Sequence, residues 1–106
     1  MTANFPGLEL LATAVLMLDD RLHVTYANPA AETLLAHGRK HLIGTPIAKV
    51  LPGNERFIAR LAQAQADDAG FNDNELPLEL AGQTATLHCV AVPVEEGEAR
   101  LLIELR

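Results

Sequence analysis

The sequence is poor in the residues that most often carry chemistry or stacking. Its 106 residues include one cysteine, no tryptophan, one tyrosine and three phenylalanines. A single cysteine excludes an intramolecular disulfide and a cluster of thiolate metal ligands. Cys89 lies in the apolar run Leu87-His88-Cys89-Val90-Ala91, where a buried, inert thiol is expected. Its neighbour His88 would point to the opposite face of a strand and is badly placed to activate it. Scarce aromatics leave few stacking surfaces for a flavin or for single-stranded nucleic acid. Basic residues are also few, 8 Lys and Arg against 14 Asp and Glu, so a nucleic-acid backbone would be repelled. No apolar run approaches the roughly 18 residues that cross a bilayer. The start Met1-Thr2-Ala3-Asn4 lacks the basic region of a secretory signal, so a cytoplasmic chain with no membrane or nucleic-acid partner is expected. There is no phosphate loop, nucleophile elbow or zinc box. The carboxylate pairs Asp19-Asp20, Asp67-Asp68 and Glu95-Glu96 fall in turns or helix ends, where solvation explains them better than acid–base catalysis.

What is present is 49% hydrophobic residues, enough for one compact domain over 1–106, read as an amino-terminal helix over 1–12 and a core over 13–106. In the first helix, Leu8, Leu11 and Ala12 make an apolar stripe. Ala14 to Leu18 is a continuous apolar run and reads as a buried strand. Asp19-Asp20-Arg21 turns the chain into a second strand over 22–27, with Val24 and Tyr26 on one face and His23 and Thr25 on the other. The strand passes into a helix without a loop. Asn28 can accept from the first free amides, Pro29 suits the first helical position and Glu32 lies near the positive end of the dipole. This helix should end near Ala36 to Gly38, with Leu34 and Leu35 facing the core and Gly38 free to take the positive φ of a C-cap.

From Arg39 to Asn54 the glycines and prolines predict short helical turns. Asn54 should then cap a longer helix that ends near Ala69-Gly70, with Phe57, Ile58, Leu61 and Ala62 inward. Strands follow over Glu75 to Leu80, Thr84 to Val94 and Ala99 to Leu105, separated by turns at Ala81-Gly82-Gln83 and Glu95 to Glu98. Strands 1 and 2 make a hairpin and strands 3 to 5 a meander. The helical insert then most simply sets strand 5 beside strand 1. The expectation is an α+β fold with a five-stranded antiparallel sheet, order 2-1-5-4-3, and its helices on one face.

This arrangement, with Tyr26-Ala27-Asn28-Pro29-Ala30-Ala31-Glu32 and Gly44-Thr45-Pro46, resembles a PAS sensor domain over almost the whole chain. Leu18-Asp19-Asp20 and Phe71-Asn72-Asp73-Asn74-Glu75 add a closer resemblance to the amino-terminal PAS domain of the nitrogen-regulation sensor histidine kinases. The resemblance implies a bacterial two-component protein that autophosphorylates a histidine beyond this domain and passes the phosphoryl group to a response regulator. It also implies the PII signalling protein as a partner. Residues 1–106 contain neither a histidine kinase box nor a nucleotide-binding segment, so this stretch alone is expected to be no enzyme.

Within that frame the expected role is dimerisation and signal transmission. Phe5, Leu8, Leu11 and Ala12 are the candidate interface, packed partly on the outer sheet face and partly on a second protomer to form a homodimer. The alternative is a small-metabolite receptor with a cavity lined by Tyr26, Leu35, Phe57, Ile58 and Leu87, although the simpler reading is that these fill the core. No cofactor or metal is expected. His37 and His41 have i, i+4 spacing, but Gly38 between them should break the helix, and His23 and His88 fall in strands. A flavin photoreceptor of the PAS class needs a reactive cysteine on a helix, whereas Cys89 belongs to a late strand.

Overall fold

The computed structural model describes residues 12–106, and the helix expected over 1–12 lies outside them except for Ala12, an exposed bend. The first strand, β1 (Ala14–Leu18), is buried along its whole length. That follows from five consecutive apolar side chains, which suit a strand covered on both faces. The turn after it is built by Asp19, whose Oδ1 accepts from the amides of Arg21 at 2.9 Å and His23 at 2.8 Å. The next strand, β2 (Val24–Ala27), is two residues shorter at its start than the sequence predicts.

A bulge in β2 overturns one expectation. Met17 lies opposite Tyr26 and Leu18 opposite Val24, which leaves Thr25 as an extra residue. A residue inserted in this way reverses the alternation beyond it. Val24 therefore joins the core beneath the helices, while Tyr26 belongs to a separate cluster on the other face of the sheet. The outer edge of β2 is closed by the segment containing Gly44, Thr45 and Pro46. The Val24 amide donates to the Thr45 carbonyl at 3.0 Å, and the Gly44 amide donates to that of Val24 at 2.7 Å.

Helix α1 (Pro29–Leu35) starts as its residues demand: Pro29 occupies the first turn, and the Asn28 side chain accepts from the Ala31 amide. It ends at the start of the expected span, and its positive-φ cap is Ala36, not Gly38. Ala36 has φ 56°, which lets its amide reach the carbonyls of Glu32 and Thr33 immediately after Leu35. Gly38, at φ −72°, instead precedes helix α2 (Arg39–Leu42). Helix α3 (Ile47–Val50) is the second of the expected short helical turns. Helix α4 (Glu55–Asp67) buries Phe57, Leu61 and Ala64. That stripe at i, i+4 and i+7 half-buries Ile58 and leaves Ala62 exposed, so Ala62 is not a core residue. Asp68, with φ 50°, ends α4 two residues before Gly70.

The carboxyl-terminal half is the meander of β3 (Phe71–Leu80), β4 (Gln83–Glu96) and β5 (Ala99–Leu105). Phe71 to Glu75, expected ahead of the third strand, forms its first half. Ala81 and Gly82, with φ 51° and 82°, make the two-residue link between β3 and β4. All neighbours are antiparallel and the sheet order is β2-β1-β5-β4-β3, as expected. Leu101, Ile103 and Leu105 of the central strand β5 join Leu16, Leu18, Phe57, Leu61 and Leu78 in one core between the sheet and the helices.

Candidate functional site

The interior beneath the helices is a continuous apolar cluster. Leu35 and Phe57 are buried in it, and Ile58 and Leu87 are half-buried against it. Tyr26 is not their neighbour, because the β2 bulge turns it to the other face. The five candidate cavity residues are thus not brought together. Among the described residues the buried polar side chains are Asn28 and Asn54, and both bind backbone. Asn28 accepts from the amides of Val15 at 2.9 Å and Ala31 at 3.0 Å, and donates to the Thr13 carbonyl at 2.8 Å. Cys89 is wholly buried in the same core, and desolvation there pushes its thiol up to about 12.

A cleft of about 530 Å³ opens at the rim, between the first turns of α4 and the edge strand β3. Phe57 borders it, with Arg60, Asp73, Leu76 and Pro77. The Arg60 guanidinium lies 4.0 Å from the centre of the Phe71 ring and donates to Asp73 Oδ2 at 2.7 Å. The hydrogen bond from the Glu75 amide, then that from Arg60, hold the Asp73 carboxyl below its usual range. Asn54 stands at the start of α4 without capping it. Its amide nitrogen donates instead to the carbonyls of Leu51, Pro52 and Glu79, while its oxygen accepts from the Glu79 amide.

The outer face of the sheet carries the second apolar cluster. Val15, Met17, Tyr26 and Ala99 are buried there, with Val94 and Leu102 half-buried against them. Val92, which lies opposite Leu102, is 43% exposed and is the exposed large hydrophobic residue among those described. Composition alone did not single out this face. The usable signal was that β1 and the second half of β4 are apolar at both parities, which a strand needs only when both its faces are covered. Of the candidate interface residues, Ala12 is exposed, and Phe5, Leu8 and Leu11 lie outside the described residues.

The histidines do not converge. His37 and His41 are exposed, and His37 falls between α1 and α2. His88 lies on the outer face with its Nε2 2.7 Å from Asn72 Oδ1. Among the described residues no group of three or more His, Cys, Asp or Glu is placed to hold a metal ion, and no helix is long and apolar enough to cross a membrane.

Comparison with known proteins agrees with the topology. The family model described as the PAS fold matches residues 7–105. The sensory histidine kinase/phosphatase NtrB of Klebsiella oxytoca is 38% identical over 90 residues, which cover 85% of this chain and 26% of that protein. NtrB of Escherichia coli O157:H7 is 34% identical over 98 residues, 92% of this chain and 28% of that protein. The chain therefore spans about a quarter of the length of these curated relatives. The crystal structure of the PAS domain of nitrogen regulation protein NR(II) from Vibrio parahaemolyticus superposes with a TM-score of 0.78, at 24% identity over 98% of each chain. With its five-stranded sheet order, its one-sided helices and a family match across nearly its whole length, this chain belongs to the PAS fold family.

Proposed function

We propose that this chain is the sensory PAS module, a single domain over 1–106, of a bacterial cytoplasmic NtrB-type histidine kinase in nitrogen regulation. In this reading it pairs with a second copy and transmits a state to a kinase module. The observation that carries it is the 38% identity to NtrB over 85% of the chain. The second apolar cluster supports the pairing. A second copy laid on the outer face, together with the stripe of Phe5, Leu8, Leu11 and Ala12, would cover Val92 and the half-buried Val94 and Leu102. Strand β5 lies at the sheet centre between β1 and β4, so its outward Leu102 would sense a change in how two such faces meet. By resemblance, PII is the partner that sets this state and a response regulator is the partner that receives the phosphoryl group.

A chimera tests the assignment. This chain replaces the matching residues of Klebsiella oxytoca NtrB in a strain that lacks the kinase, and a nitrogen-controlled reporter is read in nitrogen-rich and nitrogen-poor medium. The reading requires a reporter that follows nitrogen supply. A stably produced chimera whose output is the same in both media overturns it.

A further inference from the structure

We propose that Asn54 acts as a one-residue strand mimic that, with Pro77 and Asp73, closes the second half of the β3 edge, residues 75–80, to strand addition. An edge strand offers unpaired amides and carbonyls and invites pairing with another chain. In the β3–β4 hairpin, Leu80 faces Gln83 across a two-residue link, so Leu78 and Leu76 direct their backbone groups to Ala85 and Leu87 of β4. In the second half of β3 the intervening positions Glu79, Pro77 and Glu75 therefore face outward.

Each of these three outward positions lacks an available donor, for a different reason. The Glu79 amide donates to Asn54 Oδ1 at 2.8 Å, while the Glu79 carbonyl accepts from Asn54 Nδ2 at 3.0 Å. A carboxamide presents C=O and N–H side by side, so this double bond copies what a residue of an adjoining antiparallel strand would make. Pro77 has no amide hydrogen to give. The Glu75 amide is turned onto its own strand and donates to Asp73 Oδ1 at 3.0 Å, at the bulge between Asp73 and Leu76. Asn54 is 7% exposed and also holds the Leu51 and Pro52 carbonyls, so the mimic is fixed in place from its own side. The edge is closed in this way whether or not two copies pair through the outer face.

Amide hydrogen exchange on the intact chain tests the proposal. The Glu79 amide is expected to exchange at least about tenfold more slowly than an unprotected edge amide, and Asn54→Ala to remove that protection while the Leu101 and Ile103 amides stay slow. Unprotected exchange at Glu79 in the parent chain overturns the proposal without any variant, which covers the case of Asn54→Ala failing to fold. The double variant Asn54→Ala, Pro77→Val restores two outward donors and is expected to form larger species that grow with concentration in size-exclusion chromatography. A folded double variant that keeps the parent's oligomeric state at every concentration also overturns it.

Discussion

Replacing Asn28 with alanine should destabilise the fold more than any other single polar-to-alanine change among the described residues. The side chain is wholly buried and hydrogen-bonds the backbone of Thr13, of Val15 in β1 and of Ala31 in α1. Its Oδ1 caps α1 through the Ala31 amide, and loss of such a cap costs about 1 kcal/mol. The same change leaves the Val15 amide and the Thr13 carbonyl without this partner, and a buried polar group left unpaired costs about 1–3 kcal/mol. With the two groups counted, the sum is about 3–7 kcal/mol, a large share of the roughly 5–15 kcal/mol available to a domain. Urea unfolding followed by far-UV circular dichroism measures it. With a slope of about 2 kcal/mol/M, the midpoint should fall by about 1.5–3.5 M at an unchanged slope. Asn28→Asp keeps the acceptor for Val15 and Ala31 but sets a carboxylate against the Thr13 carbonyl, so its loss should be intermediate. A fall of less than about 1 kcal/mol in Asn28→Ala would refute the idea that this one carboxamide joins β1 to α1.

Cys89 should resist a thiol reagent at pH 8 in the native state and react at once in urea, because desolvation holds its pKa at about 12. Since that value exceeds the ordinary thiol value of about 8.5, stability from this group is complete below pH 8.5 and declines as pH rises towards 12. For Gly70→Ala a large loss is expected, about 2 kcal/mol or more by thermal unfolding, because a Cβ there would lie 2.3 Å from the backbone oxygen of Ala91 and neither backbone can yield cheaply. The Asp73 carboxyl, held low first by the Glu75 amide and then by Arg60, favours the folded rim above its ordinary range and loses that contribution as pH falls through its native value. Arg60→Ala should therefore raise the Asp73 pKa in an NMR titration only part of the way back, with the Glu75 amide still in place.

Much of the fold was legible because the apolar pattern has a clear period and the turns carry marked residues. Asp19-Asp20, Ala81-Gly82 and the run ending in Gly97 divide the strands, and Leu101, Ile103 and Leu105 alternate as a central strand must. From those segments the sheet order followed by the shortest connections. The bulges were not legible, since an inserted residue such as Thr25 carries no chemical mark, yet it turned Tyr26 to the outer face and removed it from the supposed cavity. The positive-φ caps were hidden for a related reason: Ala36 and Asp68 take positive φ where hydrogen bonding requires it, although glycines stand two residues further on. Asn54 reads locally as a cap, but its strongest bonds reach a strand 25 residues away. Nothing local to residue 54 signals such a partner.

Light scattering on a size-exclusion column tests the proposed pairing of two copies through the outer face directly. The parent chain should elute at twice the mass of one chain, and Val92→Asp, at the 43% exposed position opposite Leu102, should shift it to the mass of one. Leu8→Asp, in the amino-terminal stripe, should do the same. A parent chain that stays monomeric at high concentration, or a dimer indifferent to both substitutions, contradicts the account.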